Sequence, residues 1–313
     1  MAKPLLYNAT IVRRIDLTDT LAIFRIAPEE PPRAHPWFRP GQYCVLGLNN
    51  DETPALGSVQ RPMSIASAPE AEGSIEFYIR RVARPRSPNP LTSLLWRLGA
   101  GDRIHLRAAA AGLFTIADTI GAADGRLRVM VAAGTGLAPY VSMIRSEVSR
   151  NPGVDLAKWA VLHGVSYPME LGYREELLNL CSTNHLKYSG TVSRQVPGWS
   201  GDCGRVETFF EPDRLPALES RLGLPQYGFT PENVVVFVCG LTGTIRETMT
   251  RLVDRAFVPS MEKVRTALGV PAEIPSSVYV EDYDPDEPVI DVNDPRVMEP
   301  LRTRMQGALA ALR

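Results

Sequence analysis

Residues 127–149 read LRVMVAAGTGLAPYVSMIRSEVS, and no other stretch limits the fold so tightly. The first seven form a near-continuous apolar run, the form taken by a strand covered on both faces. Two glycines follow, after which Leu137, Val141, Ile144 and Val148 recur at helical spacing. Strand, glycine turn and helix in direct succession call for a parallel sheet with helices against it. WAVLHGV (159–165), LKYSGTVS (186–193) and NVVVFVCG (233–240) read as further strands, and IRETMTRLVDRAF (245–257) as a helix with Ile245, Met249, Leu252 and Phe257 on one side. Such alternation predicts a doubly wound α/β domain.

The preceding 117 residues follow another grammar. NATIVRRIDLTD, TLAIFRIAP, GQYCVLGL, RPMSIASAP, SIEFYIRRV and DRIHLRA are short alternating or apolar runs broken by Gly and Pro. They predict an antiparallel β-barrel or sandwich. One helix is expected there, PLTSLLWRLG at 90–99, opened by its proline and closed by its glycine. The expected organisation is an antiparallel β domain over 1–120, the α/β domain over 121–258 and an extension over 259–313. Within that extension MEKVRTALG and the C-terminal stretch read as helices. EDYDPDEPVIDVND (281–294), with seven acidic residues and no basic one, reads as an acidic segment wrapped on the surface.

At 313 residues the chain is long enough for two cores. Its 44% hydrophobic and 22% charged residues exclude a disordered chain, and no membrane span is expected. With 34 basic against 35 acidic residues there is no global field to attract nucleic acid. Cys44, Cys181, Cys203 and Cys239 contain no C-x-x-C pair, and the histidines at 35, 105, 163 and 185 are dispersed. No iron–sulfur cluster, zinc or other metal site, or disulfide framework is expected. The N-terminal stretch has no apolar run long enough for a signal peptide, so the cytoplasm is the expected compartment.

Gly134, Thr135 and Gly136 stand at the start of a helix, where unpaired N–H groups and the positive end of the macrodipole favour a diphosphate. The spacing is G-x-G-x-x-P, with Pro139 where the dinucleotide fingerprint has its third glycine, so that fingerprint does not match. A plain glycine turn gives the same letters. RPMSIASAP (61–69) is equally ambiguous alone: a cation, hydroxyls and small side chains around a short strand, or a solvated arginine beside one.

In chain order, RPMSIASAP, AAGTGLAPYVSMIR and VVVFVCGLTG resemble the ferredoxin–NADP reductase family. FRPGQYCVLGL, NPLTSLLWRLGAGD, LHGVSYPMELGYREEL and TVSRQVPGW are similar to its bacterial branch, and the likeness covers residues 7–257. It implies an FAD-binding antiparallel β-barrel followed by an NADP-binding doubly wound domain. It also implies hydride exchange between NADPH and flavin N5, with one-electron exchange to a ferredoxin or flavodoxin. Arg61 is implied at the FAD pyrophosphate, which a planar guanidinium fork suits. Ser64 is implied beside N5, and Met63 departs from the aromatic usual at its position. Tyr78 and Arg80 are implied along the flavin edge, with Leu91, Thr92 and Ser93 at the FAD phosphates; a simple helix cap by Thr92 or Ser93 gives the same sequence.

The same resemblance puts Gly134, Thr135 and Gly136 beside the nicotinamide nucleotide and Cys239 at the nicotinamide C4 region, so that Ser64 and Cys239 become the implied catalytic pair. Cysteine is equally a core residue. Gly240 and Thr242 follow on its loop, whose CGLTG departs from the Cys-Gly-x-Pro of relatives. The second strand runs into Ser166 and Tyr167 with no acid to hold ribose hydroxyls. Ser193, Arg194 and Arg205 match positions that grip the 2′-phosphate of NADPH. Arg80, Arg81, Arg84 and Arg86 read either as a partner surface or as solvated charge, and Tyr279 or Tyr283 as a cover for the flavin. Other readings are a reductase component of an oxygenase, a flavin reductase, or a non-catalytic nucleotide sensor on the same fold.

Overall fold

The computed structural model describes residues 4–30, 36–107, 109–283 and 287–311, so His35 and positions 284–286 of the acidic run fall outside the described residues. The chain forms two compact units, one from residues 1–122 with 137–154, the other from 123–136 with 155–313.

The first unit holds β1 (Ala9–Thr18), β2 (Leu21–Pro28), β3 (Tyr43–Asn49), β4 (Ser58–Ser64), β5 (Ile75–Arg80) and β6 (Arg103–Leu106). Their order is β4-β3-β6-β1-β2-β5, and every pairing is antiparallel. An antiparallel bridge between Ile65 and Phe77, with Ala66 N–H donating to the Glu76 carbonyl at 2.8 Å, joins the two end strands and closes the barrel. Ala22, Phe24 and Ile26 of β2 alternate into the core with Ile11, Leu46, Phe77 and Ile104.

The single helix expected here is shorter than its letters. α1 covers Leu91–Leu95. Arg14 Nη1 donates to the carbonyls of Trp96 and Leu98 at 3.0 and 2.8 Å, drawing off the acceptors that a continuing helix would use. A one-turn helix, α2 (Ile116–Thr119), follows β6. The unit also contains α3 (Ala138–Arg150), which buries Ala138 through Ile144. Ser142 Oγ donates to the Ser67 carbonyl at 2.7 Å, and Arg145 Nη1 pairs with Glu76 Oε1 at 2.7 Å. Glu76 is 4% exposed and also meets Arg25 at 2.7 Å, so its buried carboxylate has a cation on each oxygen.

The second unit carries β7 (Leu127–Ala133), β8 (Trp159–Val165), β9 (Lys187–Val192), β10 (Asp202–Cys203), β11 (Val234–Gly240) and β12 (Val278–Asp282). All pair in parallel, in the order β10-β9-β8-β7-β11-β12. β8 and β11 are buried along their whole length, as the apolar runs required. The helices are α4 (Arg174–Asn184), α5 (Leu215–Arg221), α6 (Thr242–Leu252), α7 (Glu262–Ala267) and α8 (Pro295–Ala311).

The acidic stretch does not simply wrap the surface. Glu281 and Asp282 end β12, which pairs along the free edge of β11, and Val289 and Ile290 are buried. α8 adds Met298, Leu301, Met305 and Leu309 to the same core. Residues beyond 258 therefore complete this unit's interior.

Candidate functional site

In the barrel unit, β4 carries Arg61, Met63 and Ser64. Arg61 is exposed, and its Nη1 donates to the Gln60 carbonyl at 2.8 Å. Met63 packs half-buried on the barrel core and Ser64 is buried. The antiparallel Ile65–Phe77 bridge just beyond β4 sets Ser64 and Tyr78 opposite each other in register, with buried Tyr78 followed on β5 by half-buried Arg80. Beyond β5, Arg81, Arg84 and Arg86 are exposed. Thr92 Oγ1 accepts from the Val82 N–H at 3.2 Å, tying α1 to this strand end. Neither Thr92 nor Ser93 caps α1; Pro90 holds that position without a side-chain bond, Leu91 is buried, and the Ser93 N–H is used on the Pro90 carbonyl at 3.1 Å. β4 touches both β5 and α1, and the Thr92–Val82 bond ties α1 to the end of β5.

In the parallel unit, strand order reverses between β7 and β11, the place where open α/β sheets take ligands at their C-terminal ends. The two loop glycines serve different needs there. Gly134 has φ +54°, and a Cβ on it meets nothing within 4 Å, leaving its backbone open to a ligand. A Cβ on Gly136 would lie 2.1 Å from the Cys239 carbonyl oxygen, so that glycine lets the β7 and β11 loops touch. His163, wholly buried on β8, has Nε2 3.0 Å from the Gly134 carbonyl; an acceptor there requires Nε2 to be the protonated nitrogen. The Thr135 carbonyl accepts from the Tyr283 hydroxyl at 3.4 Å.

Cys239 is fully buried, with Sγ 3.6 Å from Glu281 Oε2. Burial first, and the Glu281 charge after it, push the thiol well above its ordinary value of 9.0. It remains protonated and donates to the carboxylate. In that form the side chain carries no charge. The Gly240 carbonyl accepts from the Tyr283 N–H at 3.0 Å, and buried Thr242 bonds both Asp282 oxygens at 3.2 Å. An open glycine backbone, a bare loop contact and a neutral thiol fit the diphosphate and ring of a dinucleotide. Glu281 and Asp282 went unnoticed in the sequence as partners of this loop, because only the β11–β12 register brings them to it. Tyr283 reaches the loop, whereas Tyr279 stacks on Phe237 with centroids 5.5 Å apart.

A separate group forms where β8 and β9 end. Ser193 and Arg194 are exposed; the Ser193 N–H donates to the Val165 carbonyl at 2.9 Å and the Arg194 N–H to that of Ser166 at 3.1 Å. Arg194 Nη1 donates to the Tyr167 hydroxyl at 2.8 Å. An acid does reach this strand end, but Glu170 spends its Oε2 on the N–H groups of Ser166 and Tyr167, at 2.9 and 3.1 Å. Arg205, with a side chain 74% exposed, lies 3.9 Å from Glu207, whose carboxyl is pushed up chiefly by burial. Among the described residues no group of three or more His, Cys, Asp or Glu could hold a metal ion, and no helix is long and apolar enough to cross a membrane.

Residues 130–250 match the oxidoreductase NAD-binding domain family. Ferredoxin–NADP reductase B of Sorangium cellulosum is 33% identical over 249 residues, covering 79% of this chain and 86% of that protein. Sulfhydrogenase 1 subunit gamma of Pyrococcus furiosus is 24% identical over 263 residues, covering 81% and 77%. The structure of a ferredoxin NADP+ reductase from Neisseria gonorrhoeae with bound FAD and NADP superposes with a TM-score of 0.67 at 23% identity, covering 88% of this chain and 97% of that one.

Proposed function

This chain belongs to the ferredoxin–NADP reductase family, and we propose that it exchanges a hydride between NADPH and FAD and passes single electrons to a ferredoxin or flavodoxin. The observation that carries the reading is the contact of Gly136 with the Cys239 carbonyl beside a protonated, buried thiol, at the ligand-binding end of the parallel sheet. The family match and the pairing of an antiparallel barrel with a parallel sheet support it.

FAD supplies the redox chemistry itself, accepting two electrons as hydride and giving them up singly. Arg61 serves as the cation for its diphosphate: the guanidinium is exposed and its five donors suit paired phosphate oxygens. Ser64, buried at the end of β4, would hold the flavin ring by a hydrogen bond, and Met63, Tyr78 and Arg80 would contact it. Leu91, Thr92 and Ser93 bring the start of α1 to the FAD phosphates. Gly134, Thr135 and Gly136 leave backbone open to the NADP diphosphate. Cys239 and Gly240 face the nicotinamide as neutral groups, Thr242 steadies their loop through Asp282, and Ser193, Arg194 and Arg205 take the 2′-phosphate.

Orienting two reactants is worth roughly 7–11 kcal/mol of barrier. A single hydrogen bond such as that of Ser64 is worth about 1 kcal/mol. Residues that fix each cofactor therefore outweigh any one contact at the reacting atoms. A second reading keeps the chemistry and changes the acceptor: the relative named as a sulfhydrogenase subunit favours delivery to a partner subunit of a larger redox enzyme. Reduction of the FAD-loaded protein by NADPH, followed by mixing with ferredoxin, flavodoxin or ferricyanide, separates these readings. Rapid reoxidation by ferredoxin or flavodoxin supports the first. Reoxidation by ferricyanide alone leaves only the second, and no reduction by NADPH ends both.

A further inference from the structure

Tyr167 and Arg194 stand two residues beyond β8 and β9, and the pair is tied together two ways directly and a third through Ser166. Arg194 Nη1 donates to the Tyr167 hydroxyl at 2.8 Å, its guanidinium carbon lies 5.3 Å from the Tyr167 ring centroid, and its backbone N–H donates to the Ser166 carbonyl at 3.1 Å. Glu170, only 6% exposed, holds the Ser166 and Tyr167 N–H groups and so fixes the turn from which the ring projects. An exposed arginine normally samples many rotamers and loses that freedom when it binds an anion. Here much of the freedom is already gone. The phenol oxygen accepts from the guanidinium and keeps its own proton, so Tyr167 and Arg194 present donors side by side.

We propose that Tyr167 is the positioning residue through which this chain tells a 2′-phosphate from a 2′-hydroxyl: it holds Arg194 ready for the phosphate and adds a donor of its own. The inference rests on Arg194 being the 2′-phosphate cation. A phosphate dianion gains from a preset pair of donors, one of them charged. A lone hydroxyl gains little, so the advantage appears as discrimination.

The test is calorimetric binding of 2′,5′-ADP and of 5′-AMP to the full FAD-loaded chain and to Tyr167→Phe, Tyr167→Ala and Arg194→Ala, with melting temperatures as the check on folding. Tyr167→Phe is expected to lower the ratio of 2′,5′-ADP to 5′-AMP affinity about three- to tenfold through the lost hydrogen bond. Tyr167→Ala, which also loses the ring beneath the cation, is expected to lower it about ten- to thirtyfold. The salt dependence of 2′,5′-ADP binding should flatten in the same order. If Arg194→Ala keeps the wild-type ratio, the assignment of the 2′-phosphate to Arg194 fails. If Arg194→Ala loses the ratio and both Tyr167 variants keep it, that assignment stands and the role of Tyr167 is overturned. Equal losses for both ligands in the Tyr167 variants would overturn it too, because a purely structural residue behaves that way.

Discussion

Arg61 in the barrel unit is exposed, and its guanidinium donates to the carbonyl of its neighbour Gln60; Cys239 in the parallel unit is sealed from solvent, and its carbonyl leaves no room for a Cβ on Gly136. Arg61 is an exposed side chain standing on a finished strand, so changing it should alter affinity and spare the fold. Gly136 and Cys239 belong to loop backbones pressed together by strands about 100 residues apart in sequence, where an added Cβ displaces main chain. Substitution at Arg61 should act in a graded way, and at Gly136 close to all-or-none.

Removing residues 259–313 tests that contrast most severely. The cut takes away β12 and the buried Met298, Leu301, Met305 and Leu309. Hydrogen exchange should show protection lost across β7, β8 and β11 and kept across β1–β6; uniform protection would mean the extension is dispensable. Next in size is Gly136→Ala. A Cβ 2.1 Å from the Cys239 oxygen must push one loop away. We expect roughly 1–3 kcal/mol of lost stability and about a hundredfold fall in kcat/KM for NADPH, close to 2.7 kcal/mol, with FAD affinity nearly unchanged in a fluorescence titration.

Arg61→Ala should do the reverse. Losing charged hydrogen bonds to a diphosphate costs about 1.5–3 kcal/mol, or a ten- to hundredfold weaker FAD. The melting temperature of the FAD-free protein should hold, since a lone exposed side chain contributes within about 0.5 kcal/mol. A drop in that temperature would show Arg61 to be part of the fold.

Alkaline pH sharpens the comparison from within the barrel. Burial raises the Cys44 thiol from 9.0 to about 12. Above pH 9.0 the unfolded chain ionises this thiol and the folded one does not. The contribution is thus complete below pH 9.0 and falls by about 1.4 kcal/mol per pH unit up to about pH 12. Denaturant titrations of Cys44→Ala should have a shallower slope over that window; an unchanged slope would remove Cys44 as its source. Arg205→Ala should matter least. With the side chain 74% exposed and 3.9 Å from Glu207, its loss should raise the KM for NADPH about threefold or less and leave the melting temperature alone.

The barrel strands were legible because alternation and Gly–Pro breaks are local signals, and β7, β8, β9 and β11 because runs such as VVVFVCG allow little else. α1 stopped early on account of Arg14, nearly eighty residues upstream, which no local pattern reveals. α4 gave no helical signal because Leu177 and Leu180 are its only buried apolar residues, too thin a stripe to read. β12 was hidden because its acidic end looked like solvated charge until pairing with β11 brought Glu281 to a thiol. The site divides the same way. Gly136 announced itself as a glycine, but its reason lies in Cys239, and Glu170 binds backbone groups whose positions only the folded turn defines.

Hydride delivery from NADPH is tested most directly by anaerobic stopped-flow mixing of the FAD-loaded protein with NADPH and with NADPH deuterated at the transferred position. Expected is a single-turnover loss of flavin absorbance that slows several-fold with the deuterated coenzyme. A protein that takes up no FAD, or one whose bound FAD keeps its colour in excess NADPH, would contradict it.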